Sequence, residues 1–453
     1  MGILPTRPLY RRLLISGVLL GLFVFGAAVW LVLTQGGLQG RIDAIRAAGD
    51  PATIADLTPT PIPPEEDAAA QLAGVAGRLD DFSRDLYRFE NSPLGLDYSK
   101  REDRGEAATT EQLAAIRSIV EKYPEVAVAI KRAAACPKYA SRLDYRLPQP
   151  QFVASMLPGP INIRDVGRFV ARQMKLATAE GKTDVAVEQG IELLRLAARY
   201  DAAEPGLTNS QMATAVRWLA VEEIYASLMA DAADNGAITP ALRQELDREL
   251  ARFDGPEALR RPLTTERALV ISATQYQLDV CMTPLLANTI GLPMKRMYLE
   301  SIDSIAPALA VVDQPWYVTF QQGKPNIFEP TTSKGAMADL LTPVLKHQFE
   351  MVHRTIALQR ALRVASALQQ YAAEHGKEAG GIGDLSQPDD AIEDPFTGQP
   401  LKAKLVDGNW VVYSVGVNGV DDGGDFKDHK DVGVRPRHSK SLDEIENTDA
   451  AEE

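Results

Sequence analysis

Asp394-Pro395-Phe396-Thr397-Gly398-Gln399-Pro400-Leu401, followed eight residues later by Trp410-Val411-Val412-Tyr413-Ser414-Val415-Gly416-Val417-Asn418-Gly419-Val420-Asp421-Asp422-Gly423-Gly424-Asp425, is the most organised stretch of the 453-residue chain. Asp394-Pro395 and Thr397-Gly398 are turn dipeptides. Leu401–Val406 and Asn409–Val415 alternate as strands, and Asp407-Gly408 joins them as a two-residue hairpin turn. Just upstream, residues 338–375 place Val344, Met351, Thr355, Leu358, Leu362, Ala365, Leu368 and Tyr371 at steps of three and four. That spacing predicts a long helix with one narrow apolar stripe, packed on a sheet or another helix. His375-Gly376 supplies its stop. Helix and hairpin together define a small α+β module over residues 337–435. The tail beyond it, 436–453, is acidic and polar and has the composition of a disordered segment.

Towards the N-terminus the pattern changes to helices alone. Residues 65–310 predict an irregular body of helical hairpins, and 311–336, rich in Pro, Gly, Gln and aromatics, an irregular connection. Ala68–Phe89 is the first helix. Thr109 and Gln112 form a capping box for a second, which is interrupted near Pro124 and ends at Cys136-Pro137. A Pro- and aromatic-rich loop covers 138–160. Ile163–Glu180 and Asp184–Arg199 predict a hairpin turning at Gly181. Thr208-Asn209-Ser210 reads as the cap of the next helix, and Thr239-Pro240 as the start of another. The run Lys175-Leu176-Ala177-Thr178-Ala179-Glu180-Gly181, with Ala186 and Leu193-Leu194 after it, resembles tetratricopeptide-like helix pairs, without a 34-residue period.

Leu13 to Leu33 is free of charge and long enough to span a hydrocarbon core of roughly 30 Å. Arg7, Arg11 and Arg12 precede it, and this bias predicts an N-terminus inside. Residues 1–34 therefore read as a cytoplasmic tip and transmembrane anchor. The rest is expected in the periplasm, on a bacterial inner membrane crossed once. A cleaved signal peptide is the rival reading, for which the apolar run is too long. Residues 35–64 read as a juxtamembrane segment ending in Thr58-Pro59-Thr60-Pro61-Ile62-Pro63-Pro64, a stiff extended spacer. The expected partners are the lipid bilayer, through residues 13–33, and other envelope proteins.

Several function classes are excluded by chemistry. A net charge of −13 opposes nucleic-acid binding. Gly181-Lys182-Thr183 lacks the upstream glycine and strand of a phosphate loop, so nucleotide is not expected. His347 and His353 are six apart and do not share a helix face as zinc ligands. All five histidines follow residue 340, so the helical body has none to act as a base. The adjacent pairs Glu65-Glu66 and Glu222-Glu223 point apart and read as solvated faces. Cys136 and Cys281 are either one disulfide of an exported protein or two buried thiols.

The order helix, Asp-Pro-Phe-x-Gly-x-Pro-Leu, hairpin, Tyr-Ser-x-Gly-x-Asn-Gly-x-Asp-Asp-Gly-Gly-Asp resembles the globular part of the type II secretion major pseudopilins. The resemblance covers Leu358 to about Val434. It implies a pseudopilin-like module and a calcium-binding loop, which here falls on Asn418, Asp421, Asp422 and Asp425, with Asp428 and Asp431 in reserve. Calcium takes six to eight oxygens from such flexible loops. A solvated acidic turn is the alternative. The apolar run at 13–33 holds no glutamate and no Gly-Phe processing site precedes it, so the resemblance implies a module carried by a different anchored protein. The expected fold is mainly α: an anchor, a helical body and a small α+β end. The expected function is binding or scaffolding in the envelope, beside a type II secretion or pilus-like system. The alternatives are an extracytoplasmic enzyme with its site in the helical body, and a module that only stabilises that body.

Overall fold

The computed structural model describes residues 38–103, 106–156, 161–231, 238–280, 302–303, 305–320, 336–406, 408–427 and 430–434. They form a mainly helical structure with one three-stranded antiparallel sheet, ordered β1-β2-β3. The expected anchor at 13–33, Cys281 and the tail 436–453 lie outside these residues. Among the described residues no helix is long and apolar enough to cross a membrane. Cys136 is buried as a free thiol.

The described residues open with α1 (38–47), then α2 (Ala68–Ala73) and α3 (Ala76–Glu90). The sequence led us to expect one helix over the last two, but the chain breaks at Gly74-Val75. After α4 (Pro93–Asp103), α5 (Thr110–Glu121) starts as its capping box predicts. Gln112 N donates to Thr109 Oγ1 at 3.2 Å, and Thr109 N to Gln112 Oε1 at 2.8 Å. Pro124 opens α6 (Pro124–Ala135), and α7 (Gln149–Met156) forms within the expected loop. The hairpin of α8 (Ile163–Ala179) and α9 (Thr183–Ala203) turns at Gly181, whose φ is 70°.

In α10 (Leu207–Asp231), Thr208, Asn209 and Ser210 lie inside the first turn and are not its cap. The first amides are held instead from α12 (Glu257–Val280). Gly206 N donates to Thr265 Oγ1 at 2.9 Å and Leu207 N to Glu266 Oε2 at 3.0 Å. A carboxylate from another helix thus meets the orphan amides and the positive end of the helix dipole. Between these elements α11 (Pro240–Ala251) begins at the Thr239 cap. Helices α8, α9 and α10 pack against one another, and Gly190 of α9 lies close against α10 and α8. A Cβ there would stand 2.4 Å from Ile224 Cγ1 and 2.9 Å from Met174 Cε.

After the short α13 (Trp316–Thr319), the long helix α14 (Ala336–His375) runs to its expected stop, where Gly376 takes φ 66°. Its single narrow stripe is not what forms. Consecutive residues Ile356, Ala357 and Leu358 are all buried, as are Val364 and Ala365, whereas Val344 is 38% exposed. The reason is position: α14 packs on α10, α11 and α12 and also on β2 and β3. The hairpin of β1 (Lys402–Val406) and β2 (Asn409–Ser414) has the expected register, Val406 opposite Asn409. A third strand, β3 (Val432–Val434), pairs with β2.

Among the described residues, one large hydrophobic cluster joins side chains from Ala68 to Val434. Polar contacts tie the same two regions together. Trp218 Nε1 donates to Thr355 Oγ1 at 2.7 Å, and Tyr225 OH to the Trp410 carbonyl at 2.8 Å. Arg360 grips both carboxylate oxygens of Asp254 at 2.6 and 2.8 Å, the paired geometry that gives arginine its strongest contacts. At the other end, residues 38–57 dock on α12. Ile54 N donates to Ser272 Oγ at 2.8 Å, and Leu38, Ile42 and Ala52 share a small core with Ile271 and Ile302. The Pro-rich stretch 59–64 therefore links two parts of the body, where a spacer between membrane and body was expected.

Candidate functional site

The Asp-Pro-Phe turn is held by Asp394, which is 1% exposed. Its Oδ1 accepts from Phe396 N and Ser414 Oγ, both at 2.8 Å, and its Oδ2 from Val415 N at 3.0 Å. Gly398 N also returns to the Asp394 carbonyl at 2.8 Å. Asp394 thus pins its own turn to the end of β2. Burial pushes its carboxyl above the ordinary range, against the donors that pull it down. The most distinctive dipeptide of the module is a structural clamp.

Beyond β2 the loop expected to hold calcium is closed by its own contacts. Asn418 Nδ2 donates to Asp422 Oδ2 at 2.7 Å. Asp421 Oδ1 accepts from Tyr413 OH at 3.0 Å, and Asp425 pairs with Lys430 at 2.9 Å. Asn418 and Asp422 thus face each other, while Asp421 and Asp425 face Tyr413 and Lys430. Among the described residues no three His, Cys, Asp or Glu side chains gather as a metal site. Asp431, a reserve in the sequence reading, is the buried member: it is 1% exposed and accepts from Gly424 N at 2.6 Å. Burial, with Asp422 and Asp421 nearby, pushes its carboxyl up to about 6. Asp428 lies outside the described residues.

A second place was not anticipated. Residues of α9, α10, α11, α12 and α14 line an open pocket of about 340 Å³. Arg217 of α10 and Asp201 of α9 form an ion pair at 3.0 Å, with side chains 4% and 11% exposed. Arg217 also lies over the Phe253 ring, 4.0 Å from its centre. Gln359 of α14 lines the same space and is 2% exposed. Arg217 Nη1, Asp201 Oδ1 and Gln359 Oε1 have no hydrogen-bond partner among the described residues. Arg261 closes one side, donating from Nη1 to the carbonyls of Asp201 and Glu204 at 2.5 and 2.9 Å, where cations suit a helix C-terminus. Burial pulls both guanidinium groups below their usual range. Arg252 and Glu257 stand at the mouth, with side chains 60% and 78% exposed.

A trace of this site is present in the sequence. Arg217 falls four residues after Ala213 and three before Ala220, on the buried face of α10. Asp201 follows Ala197 by four on the buried face of α9. A charge on an apolar stripe is the signal, but its partners stand on other helices. Elsewhere, Gly181-Lys182-Thr183 is the hairpin turn, with Lys182 paired to Glu180. Of the two glutamates expected on a solvated face, Glu222 is exposed but Glu223 is 3% exposed and pairs with Lys175 at 3.4 Å. The helix contact between α8 and α10 makes that difference. His353 is buried against Trp316 and Phe349, and burial lowers it to about 4. Comparison with known proteins gives no match to a family model, to a curated protein or to a solved structure.

Proposed function

We propose that the protein is a binding or scaffold component of the bacterial envelope, held at the inner membrane through residues 13–33 and acting beside a type II secretion or pilus-like machine. The observation that carries this reading is the single core shared by body and module. A module whose long helix is sheathed by α10, α11 and α12 is a fixed surface of a larger protein, not an exchangeable subunit. Its exposed parts include Leu405 of the outer strand β1, 46% exposed, and residues 418–421 of the loop. Calcium at that loop belongs to the same reading; it requires the Asn418–Asp422 contact and the Asp425–Lys430 pair to open.

The test is co-purification of the full-length protein from its own membranes in detergent, with immunoblots for the host's pseudopilins in calcium and in chelator. Retention of pseudopilins in calcium, lost with the double substitution D421N/D422N, is expected. Their absence in every condition would overturn the assignment. Calcium at 100 times its dissociation constant adds about 2.7 kcal/mol to the folded state. An identical melting temperature in millimolar calcium and in chelator removes calcium from the reading. The pocket at Arg217 favours a second reading, in which the body takes a small ligand as an enzyme or a receptor does.

A further inference from the structure

The seam between α11 and α14 holds a buried positive charge without a counter-charge. Two contacts join these helices. Arg243 Nη1 donates to the Ser366 carbonyl at 2.6 Å and to Ser366 Oγ at 2.5 Å. Arg363 Nε donates to Asp247 Oδ1 at 2.7 Å. Arg243 and Asp247 are four apart on α11, and Arg363 and Ser366 three apart on α14. The two contacts, and with them the two arginines, therefore stand about one turn apart along the same seam. Both arginines line an open pocket of about 440 Å³, the scale of a small-molecule site.

Arg243 is 8% exposed, yet among the described residues no carboxylate pairs with it. Asp247 is held by Arg363, and Glu374 accepts from Gln370 Nε2 at 2.7 Å. Burial pulls the Arg243 guanidinium below its usual range, with only the charge of Glu374 acting the other way. A buried charge is costly unless it is paired. Nη1 is spent on Ser366. Nε and Nη2 have no acceptor among the described residues, and both remain in reach of solvent rather than sealed beneath the wall. Together they form one edge of the guanidinium, the fork that meets an oxyanion through two parallel hydrogen bonds. Pro240 and Ala241, in the first turn of α11, line the same pocket, so the positive end of that helix dipole lies on its wall.

The rest of the lining narrows the class. Arg243 and Arg363 against Asp247 leave one positive charge in excess, which a single negative charge balances. Leu246 and Leu250 supply apolar wall. Gln244 and Gln387 add amides that both donate and accept, which suits neutral polar groups. We propose that this pocket binds a small monocarboxylate with a neutral, polar body, its carboxylate on the Nε–Nη2 edge of Arg243. The site is separate from the Arg217 pocket and does not depend on the envelope assignment. Because α14 carries the sheet, the ligand ties the module to the helical body.

The test is isothermal titration of the full-length protein in detergent with gluconate, N-acetylalanine, the uncharged amide of each, and inorganic phosphate. At least one of the two acids binds, about tenfold or more tighter than its amide, as loss of a charge-assisted hydrogen bond implies. Arg243→Gln removes the fork and weakens that acid to a similar degree, while the melting temperature without ligand stays the same or rises. Equal binding of acid and amide, tighter binding of phosphate, or no heat with either acid at millimolar concentration overturns the proposal. A variant that melts lower yet binds the acid like the wild type shows that Arg243 only braces Ser366, and overturns it too. Should the variant fail to fold, the comparison of acid with amide on the unaltered protein still decides.

Discussion

Glu204 sits three residues beyond Asp201, 5% exposed, and receives the Ser141 hydroxyl at 2.9 Å. Burial raises its carboxyl from 4.5 to about 7, although Ser141 and Arg261 both favour the charged form. The folded protein therefore holds this proton more tightly than the unfolded chain does. The resulting stability is fully present below about pH 4.5 and is lost as pH rises through about 7. Above that, ionised Glu204 costs roughly 3 kcal/mol. Glu204→Gln fixes the neutral form. In urea denaturation at a series of pH values, the variant should gain on the wild type between about pH 4.5 and 7 and level off above that. A difference that stays constant with pH rules the mechanism out.

At the scale of elements, the Asp394 turn shows how one side chain fixes a junction. Removing its carboxylate leaves the amides of Phe396 and Val415 and the Ser414 hydroxyl without an acceptor. Each buried orphan costs about 1–3 kcal/mol, so Asp394→Ala should destabilise the protein by about 3 kcal/mol or more. A chemical denaturation midpoint close to wild type would show that β2 and the turn are held some other way. The same scale explains what could be read from the sequence. Thr109 with Gln112, Thr239 with Pro240, Gly376, and Asp407-Gly408 announce boundaries through their neighbours, and the helices and hairpin follow. The start of α10 was misread because its amides are met by Glu266, 59 residues away. The stripe on α14 was read too narrowly, because the sheet covers a face that α10, α11 and α12 leave open. Strand β3 is only three residues long, too short for its alternation to stand out in the sequence. The candidate pocket was illegible for a related reason: Asp201, Arg217 and Gln359 become neighbours only when three helices meet.

Across the whole molecule, body and module unfold as one unit if the shared core is as continuous as its packing. Calorimetry on the full-length protein should show one cooperative transition for this core, with matching calorimetric and van't Hoff enthalpies. Two separated transitions would show that residues 337–435 unfold independently of the helices before them. The Tyr225–Trp410 hydrogen bond also orders events in time. Its partners are 185 residues apart in the chain, an interval of about 10–40 s for a ribosome adding about 5–20 residues per second. Until the last segment is synthesised, α10 has nothing to cover the side it later turns to α14 and the sheet. Such distant pairing slows folding and prolongs exposure of apolar surface. The nascent chain, rather than the finished protein, is then the species that most needs a chaperone.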